Sequence, residues 1–221
     1  MKPVSMPRVK ICCTQSLDEA WLAIGAGASA LGFVSAMPSG PGIISDDEIA
    51  DIVLAVPPAV ATFLLTCRQN VEGIVEQQRH TGANTLQLCD EIEAGGHREL
   101  RARLPGISIV QVIHVAGEES VAEAIAVAQV VDALLLDTGN RTSAVKELGG
   151  TGRQHDWTIS RQIREVVPVP VFLAGGLRPQ NLAEAIRLVQ PFGVDVCSGL
   201  RPTGALDPLL LHAFFEQARV G

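Results

Sequence analysis

The feature that most narrows the fold is an alternation repeated eight times, in which a short apolar run gives way to a polar turn and then to a longer segment of helical periodicity. The runs are Val9 to Cys12, Ala30 to Val34, Ala59 to Thr66, Thr85 to Leu88, Ser108 to Val115, Ala133 to Asp137, Val169 to Ala174 and Val194 to Cys197. Helical segments begin near Ser16, Ser45, Asn70, His97, Ser120, Asp156, Pro179 and Asp207. Several of these starts carry a Ser, Asn or Asp whose side chain can accept from the first free N–H groups of a helix. Pro208 stands just inside the last one, where a missing N–H does no harm. Regular βα alternation builds a parallel sheet with helices outside it. Eight units in 221 residues suit an α/β protein of the (β/α)₈ TIM barrel class, near the short end of its size range. The alternative is an open doubly wound sheet, but no GxGxxG follows the first run and the helical pattern continues evenly to the C-terminus. We expect one barrel domain over residues 1–221, with residues 1–7 as a flexible extension.

Composition excludes several classes of partner. A formal charge of −7 without a basic cluster argues against nucleic acid and against an anionic membrane surface. No apolar run is long enough to span a bilayer, and MKPVSMPRVK lacks the apolar core of a signal peptide, so a cytoplasmic location is expected. The five cysteines, Cys12, Cys13, Cys67, Cys89 and Cys197, form no CxxC pair and read as reduced thiols. A metal-thiolate site from Cys12, Cys67, Cys89 and Cys197 is a distant alternative, and no metal is assigned.

In a barrel the functional groups sit where strands end. Cys12 ends the first run and Asp137 the sixth, and a long polar loop follows Asp137 as far as the cap residue Asp156. The bland alternatives are a small buried apolar residue for Cys12 and a turn-capping carboxylate for Asp137. Cys13, of opposite parity, is expected to face the helices. After the seventh and eighth runs come Ala174, Gly175, Gly176 and Leu177, then Ser198, Gly199 and Leu200. Both segments expose backbone N–H groups where barrels usually hold phosphate, which predicts a phosphorylated small-molecule substrate. His80, His97, His155 and His212 read as solvated, whereas His114 ends the fifth run facing the cavity. Trp21 and Trp157 both read as core residues.

KICCT, GFV, LQL, DALLLDT, GGTGRQHDW, LAGGLRPQN and FGVDVCSG follow one another in an order and spacing that resembles the phosphoribosylanthranilate isomerase family over nearly the whole chain. The resemblance implies a (β/α)₈ enzyme of tryptophan biosynthesis, monomeric or homodimeric, that needs neither metal nor cofactor. It implies an Amadori rearrangement of an N-(5-phosphoribosyl) amine to a 1-amino-1-deoxyribulose 5-phosphate. By the same resemblance Cys12 is the general base, arriving as thiolate, and Asp137 is the general acid, arriving protonated. Asp195 becomes a supporting carboxylate, and Gly150, Gly175, Gly176, Ser198 and Gly199 become substrate- and phosphate-binding positions. Gln87, His114 and Arg201 are further possible substrate contacts.

The chain also departs from the family's pattern. Cys13 replaces a glycine, Gly42 in SGPGIIS stands where an arginine recognises the anthranilate carboxylate, and Cys89 and Asp90 replace His-Gly. Gln111 and His114 fall where a lysine and an arginine are usual, and Arg201 falls where a glutamate is usual. Three readings follow: the family activity with Arg201 or Arg141 replacing the arginine, the same chemistry on a different ribose-phosphate amine, or a non-catalytic barrel that binds a phosphorylated ligand or a partner protein.

Overall fold

A computed structural model describes residues 6–139, 146–150 and 152–220. Arg141 and residues 1–5 of the expected extension lie outside the described residues. Eight parallel strands close into a barrel in the order β1-β2-β3-β4-β5-β6-β7-β8, with β1 paired to β8. They are β1 (Arg8–Ile11), β2 (Ala30–Val34), β3 (Ala61–Thr66), β4 (Thr85–Leu88), β5 (Ser108–His114), β6 (Ala133–Asp137), β7 (Val171–Leu173) and β8 (Gly193–Val196). The helices between and after them are α1 (Leu17–Ala26), α2 (Asp46–Ala55), α3 (Val71–Thr81), α4 (Gly96–Arg103), α5 (Glu119–Val127), α6 (Trp157–Val166), α7 (Pro179–Val189) and α8 (Pro208–Val220). Ser16, Ser45, Asn70 and Asp156 cap α1, α2, α3 and α6 as the sequence predicts, each accepting from a backbone N–H of the first turn.

Side-chain parity divides the apolar residues into two layers. Val9, Ile11, Leu31, Phe33, Leu64, Leu86, Leu134, Leu136 and Leu173 face outward and pack against the helices. Ala30, Phe63, Leu65, Val110, Val112, Ala133, Leu135 and Phe172 point into the barrel. Near the strand N-termini Phe172 meets Phe63 and Phe192 edge to face, with ring centroids 5.9 and 5.4 Å apart. Gly193 is required there, because a Cβ on it would stand 2.6 Å from the Phe172 ring.

Four expectations need correction. Cys13 does not face the helices: the chain leaves strand geometry after Ile11, Cys13 takes φ 60°, and its side chain swings into the barrel mouth. There it forms a disulfide with Cys197 beyond β8, the two Cα atoms 5.8 Å apart, so these two cysteines are not reduced thiols. Trp21 is 50% exposed, because the narrow face of Ala20 and Ala23 is what α1 lays on the barrel. His155 is buried rather than solvated, held between the hydroxyls of Ser160 at 2.6 Å and Thr138 at 3.2 Å. Trp157 is in the core as expected, and among the described residues no helix is long and apolar enough to cross a membrane.

Candidate active site

Strand ends β1, β4, β6, β7 and β8 deliver Cys12, Gln87, Asp137, Gly175 and Asp195 to one cavity at the C-terminal mouth of the barrel. Cys12 lies one residue past β1, but its N–H still donates to the Val196 carbonyl at 2.8 Å, so strand pairing fixes its position. Asp137 closes β6, where its carbonyl accepts from Val115 N at 3.0 Å and its Oδ1 accepts from Thr138 N at 2.7 Å. The loop after β2 roofs this cavity together with the loop after β6. Ser39 donates to the Lys146 carbonyl at 2.7 Å, and Met37, Pro41 and Leu148 add apolar walls.

The electrostatics differ from group to group. Burial pushes the Asp137 carboxyl up to about 7, against the N–H donors of Thr138 and Gly150, and Asp195 adds to the rise while Lys10 opposes it. Burial likewise pushes the Cys12 thiol up to about 11, because the pull of Lys10 toward thiolate is smaller than the desolvation cost. Burial thus favours the thiol form of Cys12, whereas the family resemblance has Cys12 arrive as thiolate. Asp195 lines the cavity and accepts from Lys10 Nζ at 2.9 Å. Burial depresses His155 to about 4, so it stays neutral between its two hydroxyl partners.

The glycine-bearing loops converge on the opposite wall. Gly150, Gly152, Gly175 and Gly176 all have φ between 67° and 80° and, with Ser198, line the cavity. A Cβ on Gly176 would stand 2.8 Å from the Arg153 backbone, so this loop can lie against the loop after β6 only as glycine. Gly199 is not part of the wall; it lets the Ser198–Leu200 turn press on the Leu177 carbonyl. Gln87 is 3% exposed, lines the cavity, and has an Oε1 with no hydrogen-bond partner among the described residues. That leaves an acceptor for a ligand hydroxyl or amine.

His114 and Arg201 stand behind the wall. His114 Nε2 lies 3.0 Å from the Cys89 carbonyl. Arg201 donates to Glu19 at 2.7 Å and to the Cys12 carbonyl at 3.4 Å, tying α1 to the loop after β8. Gln111 faces away from the cavity toward His97 on α4, at 2.9 Å. Gly42 has φ 78°, and a Cβ there would stand 3.0 Å from the Cys13 Cα and closer still to its Cβ, so Cys13 and a side chain at position 42 exclude each other. Among the described residues no cluster of three or more His, Cys, Asp or Glu side chains is arranged to hold a metal ion. Motif reading passed over Lys10, although inward parity with Cys12 two residues on was available as a signal. It also missed the Cys13–Cys197 pair, which depends on a backbone turn that no periodicity encodes.

A family model described as N-(5'phosphoribosyl)anthranilate (PRA) isomerase matches residues 9–217. An N-(5'-phosphoribosyl)anthranilate isomerase of Methanothrix thermoacetophila is 34% identical over 214 residues, which is 97% of this chain and 99% of that one. A solved phosphoribosyl anthranilate isomerase in complex with reduced 1-(o-carboxyphenylamino)-1-deoxyribulose 5-phosphate superimposes with a TM-score of 0.81 at 28% identity, covering 96% of this chain and 98% of that chain. The monomers generated from the dimeric enzyme of Thermotoga maritima give a TM-score of 0.80 at 27% identity, with coverage of 96% and 98%.

Proposed function

Because the chain belongs to the N-(5'-phosphoribosyl)anthranilate isomerase family, we propose that its cavity rearranges N-(5'-phosphoribosyl)anthranilate to 1-(o-carboxyphenylamino)-1-deoxyribulose 5-phosphate, a step of tryptophan biosynthesis. Asp137 is the general acid and Cys12 the general base. The reactive form has the proton on Asp137 and not on Cys12, so a proton moves, through solvent, from the Cys12 thiol to the Asp137 carboxylate. Asp137 then protonates the furanose ring oxygen, the C1–O bond breaks, and the nitrogen lone pair forms the iminium. Cys12 takes the proton from C2, which the iminium has acidified, and the C–H electrons become the C1–C2 double bond of an enolamine. Gain of a proton at C1 and loss of the enol proton give the aminoketose. Cys12 is again a thiol and Asp137 a carboxylate, ready for the next turnover.

The observation that carries this reading is the pair itself: one cavity receives, from β1 and β6, a buried sulfur and a carboxyl held near neutrality. The glycine loops with Gly150, Gly152, Gly175 and Gly176, together with Ser198, supply N–H and hydroxyl donors for the 5'-phosphate. Gln87 Oε1 accepts from the ribose or the bridging amine. A phosphorylated substrate, which bilayers retain, fits a cytoplasmic site of action. The test is turnover of freshly made phosphoribosylanthranilate, followed by the loss of its fluorescence. Turnover at the level of ordinary family members supports the proposal, and its absence in folded protein removes it.

One observation favours a second reading, in which the amine on the ribose phosphate lacks the anthranilate carboxylate. Gly42 cannot become the family's arginine while Cys13 occupies the adjoining space. Turnover of an anilino or alkylamino ribose 5-phosphate faster than of phosphoribosylanthranilate would select it.

A further inference from the structure

Lys10 is fully buried, and it lies inside the barrel over the Phe63 ring rather than at the mouth. Register explains its partner: Lys10 on β1 is directly opposite Asp195 on β8, and the ammonium donates to Oδ1 at 2.9 Å. Burial alone would lower its affinity for a proton, but Asp195 first and Cys12 second outweigh it and keep it cationic. One carboxylate oxygen does not exhaust an ammonium with three donors. Phe63 offers its ring face 5.2 Å below. The third neighbour is Cys12, two residues along the same inward row. The point where a Cβ on Gly32 would lie is 2.8 Å from Lys10 Nζ and 2.9 Å from Cys12 Sγ, so both groups crowd the space that this glycine leaves open.

We propose that Lys10 is the positioning residue of the base: held by Asp195 inside the barrel, its ammonium sits beneath the Cys12 sulfur and stabilises the thiolate that accepts the C2 proton. This rests on Cys12 being the base. The other charged or titratable groups around Cys12 act in the opposite sense. Asp195 on β8 disfavours a second negative charge, Cys89 past β4 would do so if ionised, and Asp137 on β6 shares the same field. Lys10 is the cation that offsets them, and without it the thiolate, already the minor form, would be rarer still.

The experiment measures two things on the same variants: the rate at which Cys12 is alkylated by iodoacetamide at pH 9, resolved by peptide mapping, and kcat and KM. An opposite charge at this range is worth about one to three pKa units, so Lys10→Met should slow Cys12 alkylation and lower kcat by roughly ten- to a thousandfold, with KM changed by less than about threefold. Asp195→Asn, which frees the cation from its anion, should speed alkylation instead. A purely structural ion pair cannot move the sulfur in opposite directions when its two halves are removed singly. Lys10→Met leaves Asp195 buried and unpaired, so if it does not fold, Lys10→Met with Asp195→Asn is compared with Asp195→Asn alone, and the slower alkylation must follow the lysine. Gly32→Ala, which wedges a methyl between Nζ and Sγ with every charge retained, should slow alkylation as well. Folded Lys10→Met alkylating at the wild-type rate overturns the proposal. Cys12→Ser with full turnover overturns the base assignment instead, and leaves the alkylation result to stand separately.

Discussion

The ends of β1 and β6 present the same problem in opposite forms. Each carries one reacting group into the barrel mouth, and burial raises both, the carboxyl to about 7 and the thiol to about 11. For Asp137 as the proposed acid that shift serves the reaction, because an acid must keep its proton near neutral pH. For Cys12 as the proposed base it is an obstacle, because a base must lose its proton. The proposed acid on β6 accepts from the backbone N–H groups of Thr138 and Gly150, with Asp195 and Lys10 further off acting in opposite senses, whereas β1 places a buried cation two residues before the proposed base. One desolvated mouth can serve both groups only if the side with the base is charged.

The largest effects should follow from breaking either end. Asp137→Asn and Cys12→Ser should each lower kcat by about a hundred- to ten-thousandfold, with KM almost unchanged, in steady-state assays of phosphoribosylanthranilate turnover. The β1 side is also cross-linked where the β6 side is not. Cys13→Ser with Cys197→Ser, compared in urea with the oxidised protein, should lose about 3 to 5 kcal/mol of stability, since the bridge closes a separation of 184 residues. A smaller effect is expected at the wall proposed to hold the phosphate. Ser198→Ala removes one hydroxyl donor and should raise KM about ten- to a hundredfold through loss of a single hydrogen bond to a charged group, leaving kcat within about threefold. Inorganic phosphate should then inhibit the variant correspondingly less.

Much of this contrast can be read in the residues before any fold is known. Alternation places all eight strands, and the caps at Ser16, Ser45, Asn70 and Asp156 place four helix starts. It places Cys12 and Asp137 at strand ends because the apolar runs stop there. Its limits follow from its own assumptions. Parity does not carry two residues past the end of β1, where φ at Cys13 turns positive and the face reverses. Helical position puts Trp21 on the core face, but the buried residues of α1 are Ala20 and Ala23. Lys10 escaped notice because a pattern built on hydrophobicity treats a charged residue in a strand as noise, and only the β1–β8 register shows that its neighbour is a carboxylate. Gly42 is legible as a lost arginine, but its close approach to Cys13 depends on the fold.

The contrast is tested most directly by the pH dependence of kcat/KM in wild type and in Asp137→Asn. With the acid near 7 and the base near 11, the form with a protonated Asp137 and a Cys12 thiolate is a minor one, about one molecule in ten thousand, whose population is level between those values and falls tenfold per unit below about 7. The wild-type profile should therefore rise to about pH 7 and then flatten. In Asp137→Asn only the thiolate remains to be formed, so the break near 7 should vanish and the residual rate should keep rising tenfold per unit through pH 9. A residual profile in Asp137→Asn that still flattens near 7 would contradict the assignment of acid to β6 and base to β1.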